Sequence, residues 1–134
     1  MIGPEDGYTS YGALIGGRNN RALSPYDFLA GIANKTSNEG ASVSGGRLGT
    51  ASGQYSSVTG GQGNIATATD STVSGGEENK TEEEGASVSG GYGNSATANL
   101  SSVSGGFENL AGFRFSSIFG GKKLSTKAEY EAIP

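Results

Sequence analysis

Several residue patterns in this sequence match motifs that do chemistry in other proteins, and a glycine motif is the first of them. Gly61-x-Gly63-x-x-Ala66, which recurs thirty residues later, has the spacing of a dinucleotide-binding fingerprint. Such a fingerprint must open a helix, because the phosphates rest on the helix N-terminus. No ten-residue helical pattern follows either copy. The sequence therefore favours corner glycines over a nucleotide site.

A second glycine pattern resembles the nonapeptide repeats that bind calcium in some β-helices. The stretch Gly60-Gly61-Gln62-Gly63 has the glycines of that motif, but Ile65 stands where the calcium-ligating Asp is required. In the next copy of the pattern, thirty residues later, Ser95 stands at that place. The spacing between copies is also not nine. We therefore predict no calcium site, no other metal and no cofactor.

Carboxylates supply the third candidate chemistry, since paired acids hydrolyse glycosides and acidic clusters bind cations. The densest charge on the chain is a run of five glutamates: Glu77, Glu78, Glu82, Glu83 and Glu84. Nothing in the sequence indicates a substrate cleft beside them. A solvated face that keeps the protein soluble is the favoured interpretation, and a cation or a basic partner is the alternative.

Composition excludes several functional classes. The 134 residues contain no Cys and no His, which rules out thiolate zinc sites, cysteine nucleophiles and imidazole general bases. The net charge of −4 argues against nucleic acid as a partner. No apolar run is long enough to span a membrane, and residues 1–6 lack the basic start of a signal peptide. We expect a protein that is not an enzyme and does not insert into membranes.

An internal repeat accounts for most of the chain. Apolar anchors recur every fifteen residues, with one interval of fourteen between Leu29 and Val43, so that eight units cover about residues 11–126. Small hydroxyl residues flank most anchors, paired glycines follow at two and three residues, and Asn and Ala follow at six and eight. The anchors are Leu14, Leu29, Val43, Val58, Val73, Val88, Val103 and Ile118, and the most regular asparagines are Asn64, Asn79, Asn94 and Asn109.

This repeat predicts an all-β fold, a parallel β-solenoid of about eight coils of 15 residues. Fifteen residues are too few for a helical hairpin or a propeller blade. The Ser-Val-Ser alternation places the valine on one face of a strand and both hydroxyls on the other. Eight coils would stack to about 34 Å at the usual spacing of paired strands. The glycines would form tight corners, the asparagines would tolerate left-handed backbone and form a ladder, and the alanines would mark narrow places in the interior.

The predicted core is thin, which bears on assembly. Leu, Ile, Val and Phe together make up only 23 of the 134 residues. Ordering one coil costs on the order of 15–30 kcal/mol, whereas burying its valine contributes about 2 kcal/mol. We therefore expect several chains to share a core, with a monomeric solenoid held by dense hydrogen-bond ladders as the alternative.

The unit Ser-Val-Ser-Gly-Gly-x-x-Asn-x-Ala resembles the head repeats of trimeric autotransporter adhesins, the YadA-like family, which read roughly Ser-Val-Ala-Ile-Gly-x-x-Ser-x-Ala over fourteen residues. Aligned on Val, the Gly three on, the polar residue six on and the Ala eight on coincide between the two repeat motifs, and the resemblance covers the eight units. The resemblance implies a left-handed β-roll that forms a homotrimer. A glycine replaces the aliphatic residue before the family's Gly, and each unit gains one residue. The collagen binding attributed to that family is therefore not carried over to Val43 or its equivalents.

Aromatic residues are not required by the repeat and are the candidate ligand-binding residues. Tyr92 and Phe107 share the position four after the anchor, and Tyr55 belongs to a set three before it. That set is Tyr11, Tyr26, Tyr55 and Phe115. Rings that stack from coil to coil would stabilise the solenoid, whereas exposed rings would bind a sugar or a protein. We name Tyr55, Tyr92 and Phe107 as the candidate site.

The repeat and its two irregular ends divide the chain into three segments. Residues 1–10 would be a lead or a cap, residues 11–121 the solenoid, and residues 122–134 a C-terminal cap that begins a short helix near Ser125. The predicted function is a structural or adhesive fibre module on a cell surface, outside the cell or on a virion, that binds a host protein or glycan. The alternatives are a phage tail-fibre or spike segment and an ice-binding solenoid, the last suggested by the flat Ser-Val-Ser ladder.

Overall fold

The computed structural model describes residues 3–9 and 11–134, and these form a parallel β-solenoid with two sheets. Sheet A has nine strands: β2 Leu14–Arg18, β4 Phe28–Ile32, β6 Ser42–Val43, β8 Ser57–Val58, β10 Thr72–Val73, β12 Ser87–Val88, β14 Ser102–Val103, β16 Ser117–Ile118 and β17 Ala132–Ile133. Sheet B has eight strands: β1 Gly7–Tyr8, β3 Arg21–Ala22, β5 Lys35–Thr36, β7 Thr50–Ala51, β9 Ile65–Ala66, β11 Lys80–Thr81, β13 Ser95–Ala96 and β15 Leu110–Ala111. Coils contribute one strand to each sheet, except that between β16 and β17 sheet B is continued only by the bridge of Ser125 to Leu110. The predicted fold class is confirmed.

Strand register explains the fifteen-residue period. Val58 pairs with Val73, and Val73 with Val88, so identical positions lie directly above one another. The anchors from Val43 to Ile118 are fully buried, with the alanines of sheet B packed against them. The alanines point inward as expected, and Thr36 and Thr81 are buried at the same position. Positions within a coil are numbered below from the anchor, −1 being the residue before it and +1 the residue after it.

The first predicted anchor is wrong, because Ile15 and not Leu14 points inward. Ile15 is 1% exposed and pairs with Leu29, whereas Leu14 is 57% exposed and pairs with Phe28. The first two intervals are therefore both fourteen residues, Ile15 to Leu29 and Leu29 to Val43. The shorter coils lack one residue between the anchor and the glycine corner. Ile32, three residues after its anchor, pairs with Arg47, which is four residues after its own anchor.

The asparagine ladder is present, but its geometry differs from the expectation of left-handed asparagines. Positive φ belongs to the residue before the asparagine, as at Glu78, where φ is 56°. The Asn79 side chain instead bonds backbone groups of its own coil and of the next coil. Its Oδ1 accepts the Asn94 N–H at 2.9 Å, and its Nδ2 donates to the carbonyls of Gly75 and Gly91, both at 2.9 Å. Asn64, Asn94 and Asn109 repeat this pattern, so the ladder ties each coil to the next.

The described residues towards both ends of the chain join the solenoid. The helix expected near Ser125 is not found: that residue bridges to Leu110, and β17 extends sheet A through Ile133. Residues 122–134 are thus one more coil, because Ile133 lies fifteen residues after Ile118 and continues the buried row. At the other end β1 pairs with β3, while residues 1, 2 and 10 of the predicted lead lie outside the described residues.

Candidate functional site

Two of the three candidate residues meet at one corner of the solenoid. After sheet A the chain turns, and a third ladder of parallel bridges runs from Ile32, at +3 of its shorter coil, through the +4 residues of the later coils to Lys122. Tyr92 and Phe107 are adjacent members of this ladder. The coil rise places their rings directly above one another, as the fifteen-residue spacing predicts.

In this pair one face of each ring is stacked on the other ring. The two centroids are 5.2 Å apart and the ring planes differ by 12°. The Lys122 ammonium lies 5.3 Å from the Phe107 centroid, over the ring face away from Tyr92. Tyr92 and Phe107 are 37% and 38% exposed, so the stacked pair is partly covered at this corner. This arrangement favours a stacked ladder that stabilises the corner over a platform for a sugar ring.

Carboxylates surround the tyrosine of this pair. The hydrogen bond that Tyr92 donates to Glu78, together with the charge of that carboxylate, raises the pKa of the Tyr92 phenol above its usual value. Glu77 and Glu108 add to the negative potential. Lys123 pairs with Glu108 at 3.3 Å. The corner is thus an aromatic edge with acidic neighbours and lysines on one side, which suits contact with a polar partner.

Tyr55, the third candidate, lies at a different corner and is not brought to the other two. It occupies position −3, before sheet A, with φ of 55°. Its ring edge fits over Gly40 of the preceding coil, where an added Cβ would lie 2.7 Å from Tyr55 Cδ1. The side chain is 55% exposed, and no ring among residues 3–9 and 11–134 stacks on its faces. Among the three candidates, Tyr55 is the residue with an open aromatic surface.

The row of aromatics at this corner differs from the predicted set by two members. Tyr11 lies at −4, because the anchor of its coil is Ile15, and it meets Tyr26 edge-on at 5.8 Å. Tyr130 joins the row, stacked on Phe115 at 4.9 Å. Sequence reasoning missed Tyr130 because it assigned that segment to a helix. The fifteen-residue distance from Phe115 to Tyr130 was the pattern that would have found it.

The glutamate cluster does not converge on a site. Its members occupy several positions of one coil, and Lys80 forms an ion pair with Glu82. Gln62 donates a 3.3 Å hydrogen bond to Glu77. Within residues 3–9 and 11–134, no group of three or more acidic side chains is placed to hold a metal ion. The acidic coil is consistent with a solvated face.

Asp27 is a buried carboxylate that no motif in the sequence indicates. It is 1% exposed and lies at position −2, pointing inward. Its Oδ2 accepts the Thr36 hydroxyl at 2.7 Å and the Ser24 N–H at 3.2 Å, while Oδ1 has no hydrogen-bond partner. Burial raises the pKa of this carboxyl, and the hydrogen bonds from Thr36 and Ser24 oppose the shift. The group is enclosed between coils, so its effect is on stability.

No family model matches the sequence, and no curated protein matches it either. In the part of the chain that the structure describes, no helix has the length and apolar character needed to cross a membrane. The functional conclusion therefore depends on the architecture and on the chemistry of its outer rows.

Proposed function

We propose that this protein is a non-enzymatic fibre module, a rigid rod that works as a homotrimer and presents its outer corners to a cell-surface ligand. The β-solenoid fold is consistent with a structural, fibre-like module. The adhesive role, the trimer and a location on a cell or virion surface are inferred from the resemblance to trimeric adhesin heads and from the outer rows described above.

The observation that carries the proposal is the continuity of the ladders along the rod. Sheet A runs unbroken from β2 to β17, and at the usual strand spacing its nine strands extend about 38 Å. The asparagine side chains add a further set of bonds between coils. A body held this way resists bending, as a spacer or a fibre tip must. Its interior is occupied by small side chains, which leaves the outer rows free to vary for recognition.

The mass of the protein in solution tests the assembly. Light scattering behind a sizing column should give three chain masses. A folded protein of one chain mass would overturn the trimer and show that the ladders suffice alone.

Binding to a printed array of surface glycans and extracellular matrix proteins tests the adhesive role. The trimer should bind a subset of spots, and Tyr55→Ala should weaken that binding at least tenfold because it removes the open ring. Thr50→Ala, on the outer side of sheet B, is the matched control. An array with no bound spot would overturn the adhesive role.

A further inference from the structure

Four cationic side chains lie together where the chain turns from sheet A to sheet B in the three coils of residues 11–50. Arg18 and Arg21 belong to the first of these coils, Lys35 to the second and Arg47 to the third. All four side chains are exposed. We call this cluster the basic corner.

Strand register brings these cations close to one another. Arg21 pairs directly with Lys35 in sheet B, so their strands are about 4.8 Å apart. On the other side of the turn Arg18 pairs with Ile32, and Ile32 bridges to Arg47, which separates the two arginines by about 10 Å along the rod. The three-residue step from Arg18 to Arg21 spans at most about 10 Å. The four cations therefore share an area on the order of 100 Å².

Carboxylates leave most of this positive charge unpaired. Within residues 3–9 and 11–134, Arg21, Lys35 and Arg47 take part in no ion pair. Arg18 faces Glu5 at 3.8 Å, but the two side chains are 67% and 66% exposed, and a pair of this kind contributes little to stability. A ligand with several negative groups can therefore displace Glu5 from Arg18.

Charge is also segregated along the rod. Residues 11–50 contain four basic and two acidic residues, and neither acidic residue lies at the basic corner. Asp27 is buried in the interior, and Glu39 lies at −4, in the turn before sheet A. Residues 51–110 contain seven acidic residues and one lysine. A polyanion is thus attracted to one end of the rod and repelled by its middle, although the net charge of the chain is −4.

A near-duplicate segment shows that the fold does not require this free charge. Residues 34–46 and 79–91 have the same sequence except at two positions. At these positions the first copy has Ser37 and Asn38 and the second has Glu82 and Glu83. Glu82 forms an ion pair with Lys80, the counterpart of Lys35. The same coil is therefore built with a neutralised lysine in the acidic middle and with a free lysine at the basic corner.

The size and chemistry of the basic corner favour a sulfated glycan over a nucleic acid. Clusters of Lys and Arg bind heparin or nucleic acids, and guanidinium groups hold oxyanions through paired hydrogen bonds. Even a single nucleic-acid-binding module buries about 600 Å² or more, several times the area available here. Single strands also stack their bases on aromatic rings, and within residues 11–50 the rows of the basic corner present none. Ile32, 50% exposed between two arginines, suits the apolar face of a sugar ring.

We propose that the basic corner is a binding site for a sulfated glycan, in which the three arginines and Lys35 pair with sulfate groups and Ile32 contacts a sugar ring. The inference goes beyond the function proposed above. It requires neither the homotrimer nor the open ring of Tyr55, because one chain contains the whole site.

Transfer of the two glutamates tests the site. Ser37→Glu with Asn38→Glu gives the first copy the sequence of the second, so the coil should fold and Lys35 should be neutralised. Binding of a heparin hexasaccharide, measured by titration calorimetry at about 0.15 M salt, should weaken at least tenfold. Thr97→Glu with Ala98→Glu is the matched control, since it adds the same charge at the same two positions of a later coil. The control should bind within twofold of the wild type, and equal weakening of both variants overturns the site.

Further comparisons identify the ligand and give an answer if the glutamate variant fails to fold. Arg21→Gln with Arg47→Gln should also weaken binding at least tenfold, as should removal of the sulfates from the hexasaccharide. A wild-type protein that binds neither sugar, or both alike, overturns the proposal. A thymidine decanucleotide that binds more tightly than the hexasaccharide assigns the basic corner to nucleic acid instead. Tyr55→Ala should bind the hexasaccharide as the wild type does, which separates this site from the aromatic one whatever the chain mass in solution.

Discussion

At the scale of the residue, Asp27 departs most from the pattern of its neighbours. The inward −2 position holds alanine or serine in most coils, and the serine there, as at Ser71, bonds to the carbonyl three residues earlier. Asp27 places a carboxylate in the same space, with one oxygen unpaired. A buried charge without full hydrogen bonding is costly, which is why its proton is held more tightly.

This environment predicts a pH-dependent effect of Asp27→Ser. Because the folded pKa lies above the ordinary value of 3.8, the contribution of Asp27 to stability is fully present below that value and is lost as the pH rises through the folded pKa. At pH 7 the variant should melt roughly 3–6 °C higher than the wild type. At pH 3.5 the difference should shrink towards zero. Thermal denaturation followed by circular dichroism at both pH values measures it, and a gap independent of pH would contradict the prediction.

Single residues also mark the limits of prediction from the sequence. The anchors from Val43 onward could be predicted because valine stands alone between hydroxyl residues. Leu14 and Ile15 could not be distinguished in this way, since both are apolar and adjacent, and pairing with the next strand decides which one is buried. Because the prediction assigned Leu14 to the interior, it did not include the exposed pairing of Leu14 with Phe28. The burial of Asp27 could not be predicted, because a single Asp in the sequence does not show whether its side chain points inward.

At the scale of the element, the glycine corner limits how closely coils can stack. The second glycine of each pair has positive φ, 81° at Gly76, and sits against the backbone of the next coil. A Cβ added there would lie 2.2 Å from the Gly91 carbonyl oxygen and 2.6 Å from Asn79 Nδ2. Side chains are excluded by both conformation and space.

Gly76→Ala should therefore destabilise the protein by about 3 kcal/mol or more, through left-handed strain and displacement of the ladder. Gly75→Ala is the matched control. It has ordinary φ and no atom within 4 Å of an added Cβ, so its stability should be unchanged or slightly higher. Chemical denaturation of both variants measures the difference. Equal midpoints would contradict the assigned role of the corner.

The C-terminal coil, residues 122–134, shows why helix propensity gave a wrong prediction. The segment from Lys127 to Ala132 contains good helix formers, but an isolated helix of that length is marginal in water. As a coil, the same residues gain backbone bonds such as Ser117 N–H to the Glu131 carbonyl at 2.8 Å. The edge of an existing sheet thus outcompetes the helix. Ile133 lies fifteen residues after Ile118, which predicts a further coil, but the helix-forming residues before it favoured a helix instead.

At the scale of the whole molecule, each coil is an interchangeable unit, since it contacts its two neighbours through the same register. Deleting residues 59–73 joins Val58 to Ser74 and restores the normal order of positions. This variant should fold, with the circular dichroism spectrum of the wild type and a melting temperature within about 5 °C. Deleting residues 59–72 instead leaves one coil with an extra residue and displaces its glycine and asparagine. That variant should melt well below the first, and similar melting of the two would contradict the modular account.

The architecture as a whole could be predicted because a period belongs to the sequence itself. Fifteen residues per unit, alternating hydroxyls and paired glycines together admit few folds. Handedness and assembly are different, since the period is the same for either hand and for one chain or three. The resemblance to adhesin heads supplies those expectations, and the solution measurements above test the assembly.

The junction between the fourteen-residue and fifteen-residue coils has a mechanical consequence. The core divides there into two clusters, one around Ile15 and Leu29 and one from Ala41 onward. One interface further along, Gly49 takes the place of an asparagine and leaves the Asn64 N–H without the side-chain acceptor that the Asn79 N–H has, whereas Asn34 still accepts the Gly49 N–H across the junction itself. If the rod is pulled from its ends, load passes through every coil, and rupture begins at the most weakly joined pair. Tension would therefore separate the first coils from the rest of the rod near this junction, while the longer segment stays folded.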